Sequence, residues 1–476
     1  MRDGQRFFIN GVWVAPVEPR LQPVLNPADE TVIGNVSLGS AADVDAAVRA
    51  ARAAFSAWSA TSREERLEFL SRAVTEFKKR HAELGVAISE EMGAPAAFAH
   101  RVHAGVGMVH LKMAANVLKD YVFEHQRGST RIVHEPIGVC ALITPWNFPI
   151  NQIACKVAPA LAAGCTMVLK PSELAPFSAI IWTEILEAAG VPPGVFNLVN
   201  GEGATVGRAL AAHPDVDMIS FTGSTQAGID VARSAAPTVK RVAQELGGKS
   251  PHIILDDQAF EKGVTEGVKA VMLNSGQSCN APTRLLVPRG RMEEAARVAK
   301  ATAESLVVGN PADEVNLGPV ASRAQWEKVQ MLIRSGIAEG ATLVTGGAGL
   351  PDHLERGYYV KPTVFADVDN GMTIAREEIF GPVLSILAYD SLDRAVEIAN
   401  DTDFGIAAYI SGQDEGALRA LIPRLRAAQV IVNTAPADPM APFGGYKKSG
   451  NGREWGDHGF HEYLEVKAVI GYPGAS

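Results

Sequence analysis

The sequence predicts an α/β fold built from two successive doubly wound parallel sheets and a small antiparallel arm. Two stretches carry this prediction, 139–245 and 250–445, because each alternates short apolar runs with segments of helical length. Such alternation is typical of strands that pair in parallel through crossover helices. The Gly247-Gly248 pair separates the two stretches and marks the point where the pattern begins again.

The first 80 residues predict a β-hairpin followed by two long helices. Apolar triplets at 7–9 and 12–14 flank Asn10-Gly11, a dipeptide that favours a two-residue hairpin turn. An Ala-rich helix is predicted from Ser40 to Trp58. The next helix opens with a capping box at 62–65 and continues past Phe77.

The strands of the two sheets are predicted from apolar runs bounded by turn residues. In the first sheet they are 139–143, 166–169, 195–199 and 218–221, and in the second they include 252–255, 283–287 and 428–432. Segments 130–135 and 464–470 instead alternate polar and apolar residues, which predicts antiparallel strands with one exposed face.

Composition limits the classes of function. A length of 476 residues favours two or three domains, and 47% hydrophobic with 20% charged residues is typical of a globular protein. The net charge of -9 argues against nucleic acid or an anionic membrane as the partner. Neither a signal peptide nor a membrane-spanning apolar run is evident. With only four cysteines, we expect a soluble protein of the reducing cytoplasm.

Cys279 is the most informative residue of the chain. It ends the run Asn-Ser-Gly-Gln-Ser-Cys at 274–279, with no other cysteine nearby. A thiolate is a strong nucleophile at neutral pH, so one well-placed cysteine can carry covalent catalysis. The alternative is a small buried apolar residue, which is the commoner role of a free cysteine.

Two further residues have side chains that suit the same chemistry. Glu245 precedes two glycines, and a carboxylate facing a thiol can accept a proton from the thiol or from water. Asn147 follows an apolar strand and offers a neutral donor of the kind an oxyanion hole requires. Alternatively, Glu245 is a strand-end residue before a turn, and Asn147 is a helix N-cap.

Seven signature runs, in order along nearly the whole chain, resemble those of the aldehyde dehydrogenase superfamily. They are Pro-Trp-Asn-Phe-Pro at 145–149, Lys-Pro-Ser-Glu at 170–173, Phe-Thr-Gly-Ser-Thr at 221–225, Glu-Leu-Gly-Gly-Lys at 245–249, Gly-Gln-Ser-Cys at 276–279, Glu-Ile-Phe-Gly-Pro-Val at 378–383, and Pro-Phe-Gly-Gly at 442–445 leading to Ser-Gly at 449–450.

This resemblance implies a division of the chain into domains. Residues 1–120 and 138–247 would form a Rossmann-like NAD-binding domain, and 248–447 a catalytic domain that carries Cys279. Residues 121–137 and 458–476 would form an oligomerisation arm that pairs between subunits. The protein is then expected to be a homo-oligomer, either a dimer or a dimer of dimers.

Cofactor residues are expected where parallel strands end, since ligands of such sheets bind beyond the carboxyl ends. A carboxylate at Glu173 can accept hydrogen bonds from both ribose hydroxyls of adenosine; taken alone, Lys170 and Glu173 are more typical of a solvated surface pair. The Gly223-Ser224 turn opens a helix whose N–H groups suit a pyrophosphate. By resemblance the cofactor is NAD, held by Trp146, Lys170, Ser172, Glu173, Gly203, Phe221, Gly223, Ser224, Gly228, Leu246, Gly247, Glu378 and Phe380.

The resemblance also implies a mechanism. Cys279 attacks the aldehyde, the Asn147 amide and the Cys279 N–H hold the oxyanion, and the thioester left after oxidation is hydrolysed with Glu245 as base. Lys156 and Glu454 match residues proposed to relay protons from Glu245; a structural ion pair or two separate surface charges are the alternatives.

The expected substrate is a small-molecule aldehyde, and the family's tunnel positions indicate a bulky aromatic or longer-chain one. Small residues stand at Cys155 and Ala437, which widens the tunnel, and the absence of Arg or Lys disfavours a carboxylate-bearing semialdehyde. The tunnel positions are Phe148, Gln152, Cys155, Ser278, Asn280, Ala437 and Phe443.

Other functions stay open at this point. A CoA-acylating aldehyde dehydrogenase, a Cys–His thiol hydrolase or acyltransferase, and a binding protein without turnover are the alternatives, and Glu245 argues against the first. His100, His103 and His110 share a helical stretch, but helix histidines are more often solvated or core residues, and we predict no metal.

Overall fold

The computed structural model describes residues 2–471. Met1 of the predicted first domain and residues 472–476 of the predicted arm lie outside this range. The described chain has an α/β fold with two large sheets, each covered by helices, and two small three-stranded sheets. This confirms the predicted fold class.

The strands lie in both halves of the chain. They are β1 (Arg2–Gly4), β2 (Phe7–Ile9), β3 (Val12–Val14), β4 (Leu21–Leu25), β5 (Val32–Ser37), β6 (Glu124–Arg127), β7 (Thr130–Pro136), β8 (Val139–Ile143), β9 (Thr166–Lys170), β10 (Phe196–Leu198), β11 (Met218–Thr222), β12 (Arg241–Glu245), β13 (Pro251–Ile254), β14 (Arg284–Pro288), β15 (Thr342–Thr345), β16 (Thr363–Ala366), β17 (Val383–Tyr389), β18 (Ala407–Ser411), β19 (Gln429–Val432), β20 (Gly450–Asn451) and β21 (Leu464–Ile470).

The α-helices are α1 (Ala41–Ser59), α2 (Arg63–Met92), α3 (Ala96–Phe98), α4 (Gly105–Asp120), α5 (Pro149–Ala163), α6 (Pro176–Ala188), α7 (Arg208–Ala212), α8 (Thr225–Ala235), α9 (Phe260–Met272), α10 (Met292–Glu304), α11 (Arg323–Ala338), α12 (Thr373–Arg376), α13 (Leu392–Asn400), α14 (Glu415–Leu421) and α15 (Gly456–His461). Short 3₁₀ turns are Ala236–Thr238, Leu273–Gly276, Arg289–Arg291, Ile422–Arg424 and Lys447–Ser449, and π-helical turns are Ala99–Ala104 and Gly203–Gly207.

The first large sheet has the strand order β20-β12-β11-β8-β9-β10-β2-β3. Its parallel core runs from β12 to β10, with β8, the first of these strands in the chain, at the centre. Along β8, Cys140 and Leu142 face the core beneath α2 and α5, whereas Val139, Ala141 and Ile143 face the core beneath α1. Both faces are therefore covered, as a doubly wound sheet requires.

The second large sheet has the order β15-β16-β17-β14-β13-β18-β19, parallel except for the edge strand β15. Its strands also divide their side chains between two cores. Leu286 of β14 packs in one core, while Leu285 and Val287 pack in the other. The sequence predicted β13, β14 and β19 here, but β16, β17 and β18 were not predicted individually.

The arm is an antiparallel sheet of β21, β7 and β6. Its central pairing aligns Leu464 with Pro136 and Ile470 with Thr130. The two alternating segments of the sequence are thus strands, as predicted, and they pair with each other inside one chain. The predicted pairing between subunits and the domain boundaries stay predictions.

The N-terminal predictions are confirmed and extended. The β2–β3 hairpin turns at Asn10-Gly11, both with positive φ, and it adds to the first sheet beside β10. Ser62 and Glu65 form the expected capping box of α2, which ends at Gly93 in the left-handed conformation. The sheet β1-β5-β4 was not predicted.

No helix between residues 2 and 471 combines the length and apolar content that crossing a bilayer requires.

Candidate active site

The candidate site lies where the chain crosses from the first sheet to the second. Glu245 is the last residue of β12 and pairs with Thr222 of β11, and β13 begins at Pro251. The crossing is therefore only five residues long, 246–250, and places the carboxyl edge of one sheet beside the amino edge of the other. Cys279 lies at that amino edge, shortly before β14.

The two glycines of the crossing give room to groups of the protein itself. A Cβ at Gly248 would lie 2.2 Å from the Cys279 carbonyl oxygen, and one at Gly247 would lie 2.5 Å from Glu378 Oε2. The Gly248 N–H also donates to Glu378 Oε1 at 2.9 Å. The glycines are thus needed for close packing around Cys279 and Glu378, a reason the sequence did not reveal.

The C-terminal signature run fixes this crossing from the other side. Ser449 is fully buried, its Oγ donates to the Gly247 carbonyl at 2.7 Å, and its own carbonyl accepts from the Leu246 N–H at 2.9 Å. Gly450 has a φ of 121° and continues into the β20–β12 pairing. The Ser-Gly pair at 449–450 therefore holds the backbone on which Glu245 and Leu246 stand.

The loop before Cys279 has an unusual backbone. Asn274 and Ser275 are both left-handed, with φ values of 53° and 54°, and Gly276 follows at 75° against the Gly381 backbone. Ser275 Oγ donates to the Gly318 carbonyl at 2.8 Å, and Gln277 Oε1 accepts from the Ala321 N–H at 2.9 Å. Several distant segments thus hold a conformation that non-glycine residues rarely adopt.

Cys279 is the one cysteine of the four that keeps part of its surface exposed; the other three are buried. Desolvation raises the pKa of its thiol well above the ordinary value, and the charges of Glu245 and Glu378 raise it further. The surroundings therefore hold the cysteine as a thiol until a base takes its proton.

Glu245 is buried, 2% exposed, and among the described residues neither carboxyl oxygen has a partner with good hydrogen-bond geometry. Burial raises the pKa of Glu245 well above its ordinary value, and the charge of Glu454 adds to this effect. Lys156 and contact with the Cys279 thiol act in the opposite direction. A raised pKa makes the carboxylate a stronger base than an exposed glutamate.

Asn147 lies between β8 and α5 and is buried. Its Nδ2 donates to the Gln277 carbonyl at 3.1 Å, which brings the amide to the loop that carries Cys279. The residue at the N-cap of α5 is Phe148, so the Asn147 side chain does not cap this helix. One amide N–H bonds Gln277, and the second is available to another acceptor.

Lys156 and Glu454 form a buried ion pair, which excludes the alternative of two separate surface charges. Lys156 Nζ also donates to Thr222 Oγ1 at 2.8 Å, and the Cys155 thiol donates to Glu454 Oε2 at 3.4 Å. Burial is the largest single effect and lowers the pKa of Lys156, but the charges of Glu454, Cys155 and Glu245 and the hydrogen bond to Glu454 together raise it above its ordinary value. Lys156 therefore stays charged next to the strand that ends in Glu245.

A cavity of about 190 Å³ lies beside Cys279 at the point where the strand order of the first sheet reverses, between β8 and β11. Thirteen residues line this cavity, of which nine were predicted from the sequence as site residues and four were not. The predicted ones are Trp146, Asn147, Gly223, Ser224, Leu246, Gly247, Cys279, Glu378 and Phe380, and the others are Pro145, Thr222, Gln325 and Lys328.

Sequence reasoning missed Gln325 and Lys328 of α11. Gln325 Nε2 donates to the carbonyls of Ile379 and Phe380 at 3.1 and 2.9 Å. These bonds support the left-handed Phe380, whose ring meets Trp146 edge-on at 5.6 Å. Neither residue belongs to a signature run, so no local signal distinguishes them from any exposed helix residue.

The other predicted cofactor residues lie along the same sheet edge, outside this cavity. Lys170 ends β9, Ser172 and Glu173 follow it, and Lys170 Nζ contacts Glu173 Oε2 at 3.2 Å. Lys170 is 4% exposed, so this is not a solvated surface pair. Gly203 follows β10 and is exposed, with open space around it.

Phe221 and Gly228 act through packing. The Phe221 ring lies against Gly223, where a Cβ would approach it to 2.5 Å, and Gly228 lets α8 pack equally close to Leu246. Ser224 caps α8, since its Oγ accepts from the Ala227 N–H at 3.3 Å. Through their packing, Phe221 supports the cavity wall at Gly223, and Gly228 supports the wall at Leu246.

A second cavity, of about 670 Å³, lies on the other side of the 278–280 backbone. Four predicted substrate residues line it: Ser278, Asn280, Ala437 and Phe443. The other three predicted substrate residues are not in its lining. Phe148 stacks on His103 with ring centres 4.5 Å apart, Gln152 is buried, and Cys155 contacts Glu454.

The three helix histidines each have their own surroundings. His103 Nε2 contacts Asn274 Oδ1 at 3.1 Å, His110 Nε2 contacts Asn151 Oδ1 at 2.8 Å, and His100 meets the His81 ring edge-on. In the described part of the chain, no three His, Cys, Asp or Glu side chains are placed to share a metal ion.

At this site the carboxyl edge of a doubly wound sheet faces a thiol and a buried carboxyl group. The sequence matches the aldehyde dehydrogenase family over residues 13–469. The chain belongs to this family and is an oxidoreductase acting on aldehydes.

Among its relatives, a 3-succinoylsemialdehyde-pyridine dehydrogenase of a Pseudomonas species is 55% identical over the whole length of both chains. A mutant of aldehyde dehydrogenase C from Pseudomonas syringae, solved with NAD⁺ and octanal, is 54% identical with a TM-score of 0.98, covering 99% of this chain and 98% of that one. Betaine aldehyde dehydrogenase from Staphylococcus aureus, solved with NAD⁺, is 33% identical with a TM-score of 0.96 and coverages of 99% and 95%.

The charge of Glu245 should control the acidity of Cys279. Because this carboxylate raises the pKa of the thiol, Glu245→Gln should shift the pH profile of Cys279 alkylation by iodoacetamide toward lower pH. Glu378→Gln should shift the profile in the same direction but less, since its effect ranks second. Peptide mass spectrometry identifies the labelled cysteine, and an unmoved profile in Glu245→Gln would contradict this electrostatic account.

Proposed function

We propose that this protein oxidises an aldehyde to the carboxylic acid with NAD, through a covalent adduct on Cys279 that is hydrolysed with Glu245 as general base. The observation that carries the proposal is the convergence of the Cys279 thiol, the buried Glu245 carboxyl and the Asn147 loop at the two-sheet crossing. These are the nucleophile, base and oxyanion donor that the reaction requires.

In this reaction, the Cys279 thiol gives its proton to a nearby base, either the Glu245 carboxylate or a water molecule, and its sulfur attacks the carbonyl carbon to give the oxyanion of a thiohemiacetal. The reaction also needs a hydrogen-bond donor to the oxyanion. The Asn147 amide can supply it, because one of its N–H groups bonds the Gln277 carbonyl and the other stays available. Together with the Cys279 N–H it would hold the oxyanion. Loss of two electrons and a proton then converts the thiohemiacetal into a thioester.

The residues along the first sheet fit NAD. Helix α8 begins after Ser224, and Gly223 and Ser224 line the cavity at the switch point together with Cys279; the N–H groups of a helix N-terminus suit a pyrophosphate. Trp146, Gly223, Ser224, Leu246, Gly247, Glu378 and Phe380 would hold the cofactor at this cavity, while Lys170, Ser172, Glu173 and Gly203 would hold its far end. Bound NAD supplies the acceptor for the two electrons. Two solved relatives contain NAD⁺.

Deprotonated Glu245 would then remove a proton from the water that attacks the thioester, releasing the acid as its carboxylate ion and the free thiol. Each turnover leaves a proton on the carboxyl, which is buried and needs an exit. We propose that the adjacent Lys156–Glu454 pair relays it, since Lys156 bonds Thr222, the residue paired with Glu245. The presence of Glu245 favours hydrolysis over acyl transfer to CoA.

The surroundings of Cys279 also disfavour a Cys–His hydrolase. Neither cavity beside Cys279 has a histidine among its lining residues in the described chain. The general base of that mechanism would have to lie within hydrogen-bond reach of the sulfur. The charged groups that raise the pKa of the thiol are the carboxylates of Glu245, Glu378 and Glu454.

For the substrate, we propose an aldehyde with an aromatic or longer-chain tail. The second cavity is large and mostly apolar, with Phe443, Trp455 and Tyr409 in its wall and no Arg or Lys. Octanal in the Pseudomonas syringae relative fits the longer-chain class. The second candidate is a semialdehyde dehydrogenase, which the name of the 55% identical relative favours.

We also propose a cytoplasmic homo-oligomer with the predicted domain division. The arm sheet exposes Val466 and Ile470, 65% and 82% accessible, which a second subunit could cover. The four cysteines are free, in keeping with a reducing compartment.

Replacing Glu245 should separate the two half-reactions. Glu245→Gln should still accumulate an acyl adduct on Cys279 while steady-state NADH formation falls at least about a hundredfold, because deacylation lacks its base. Rapid-quench mass spectrometry detects the adduct. Cys279→Ala is the matched control and should show neither adduct nor turnover; residual activity above a few per cent in that variant would refute the proposal.

Glu173 should favour NAD over NADP. Its carboxylate would lie near a 2'-phosphate, and like charges at about 4 Å cost on the order of 1 to 4 kcal/mol, enough for a several-fold to several-hundred-fold preference. Glu173→Gln should narrow the ratio of kcat/KM for the two cofactors. The exposed Glu135→Gln in the arm is the control, and an unchanged ratio in Glu173→Gln would show that another group selects the cofactor.

Ala437 should set how much bulk the second cavity accepts. Ala437→Trp should lower kcat/KM for octanal and benzaldehyde about tenfold or more while acetaldehyde is affected little, because the added ring fills cavity volume. Competition assays with paired aldehydes measure the ratio directly. Equal losses for all three aldehydes would place the tail elsewhere.

A further inference from the structure

His103 lies in an irregular turn next to the active-site loops. The turn Ala99–Ala104 is π-helical, between α3 and α4, and such turns often mark functional sites because they reorient one side chain. Gly85 of α2 packs against this turn, where a Cβ would lie 3.0 Å from the His100 Cα. The π turn is thus held in place, and it directs His103 inward, where it is fully buried.

The His103 ring joins two parts of the site. Its face stacks on Phe148 with ring centres 4.5 Å apart and planes 15° apart. Its Nε2 lies 3.1 Å from Asn274 Oδ1, in the left-handed loop before Cys279. Phe148 directly follows Asn147, so one imidazole contacts both the segment of the oxyanion donor and the segment of the nucleophile.

Asn274 completes the connection. Its Nδ2 donates to the Asn147 carbonyl at 2.9 Å and to the Gln277 carbonyl at 3.3 Å. The Gln277 carbonyl also accepts the Asn147 side-chain amide. Because the Asn274 nitrogen serves two carbonyls, its oxygen faces His103, and the His103 Nε2 must carry the proton. Within residues 2–471, no group bonds the buried Nδ1 of His103, and burial lowers the pKa of His103 to about 4, so the ring stays neutral.

We infer that neutral His103 is a positioning residue for the reaction, which orients Asn274 and through it the Asn147 amide toward the oxyanion. The inference rests on the proposed function. Without the Nε2 donor, the Asn274 amide can rotate and release the two carbonyls that align Asn147. This would weaken stabilisation of the developing oxyanion more than binding of the aldehyde.

The test compares His103→Phe, which keeps a ring against Phe148 but lacks the donor, with His103→Gln, which restores a donor. His103→Phe should lower kcat about tenfold and leave KM for aldehyde and NAD within about twofold, because the amide is misplaced rather than removed. His103→Gln should recover at least about a third of the wild-type kcat. A purely structural role would not produce this split between kcat and KM or the recovery.

His252→Phe is the matched control. His252 is equally buried, and its Nε2 makes one side-chain hydrogen bond, at 2.7 Å to Ser411, outside the Asn274 network. It should lose thermal stability comparably while kcat is retained. If kcat falls alike in His103→Phe and His252→Phe, or stays within about twofold of wild type in His103→Phe, the inference is wrong.

Asn274→Asp keeps the test decisive if His103→Phe does not fold. It retains an acceptor for His103 but loses the donor to both carbonyls, so kcat should fall to a similar extent. Where His103→Phe does fold, the variant with both changes should be no less active than the less active of the two single variants, as residues of one network require. Cys279→Ala, assayed in parallel, tests the proposed function itself. If Cys279→Ala keeps its activity, the proposed function is wrong; if only the His103 variants behave otherwise than expected, the positioning role of His103 is wrong.

Discussion

The five-residue crossing between β12 and β13 is the constraint on which the rest of the site depends. Because Gly248 leaves no room for a Cβ beside the Cys279 carbonyl, and Gly247 none beside Glu378, the crossing and these two distant segments form three parts that are packed tightly together. Ser449 ties it from a fourth. One short backbone segment therefore sets the spacing between the dinucleotide edge, the thiol and the base.

Electrostatics gives this arrangement its chemistry. Three carboxylates, Glu245, Glu378 and Glu454, act on the Cys279 thiol and raise its pKa, and Lys156 is the cation that moderates the charge of Glu245. Negative charge is therefore costly at both Cys279 and Glu245. A proton that leaves the Cys279 thiol has the Glu245 carboxylate close by as an acceptor. This suits the proposed reaction, in which one proton must leave the thiol and a second must leave the attacking water.

The sequence was most informative where a motif acts locally. Cys279, Glu245 and Asn147 could be proposed because each stands in its own signature run, and the strands of the first sheet because buried runs alternate with helices. Gln325, Lys328 and His103 could not, since their roles come from contacts across long separations. Gly247 was expected by resemblance to help hold NAD, but sequence alone cannot say that Gly247 and Gly248 make room for Glu378 and Cys279.

The left-handed pair Asn274-Ser275 carries a cost that the rest of the fold must cover. Two successive non-glycine residues in this conformation cost on the order of 1 to 2 kcal/mol each. A glycine in their place would relax the backbone but free the loop in the unfolded chain and loosen the network around it. Selection for heat resistance and selection for turnover would therefore pull these two positions in opposite directions, and drift toward glycine would be a sign that catalysis is no longer under selection.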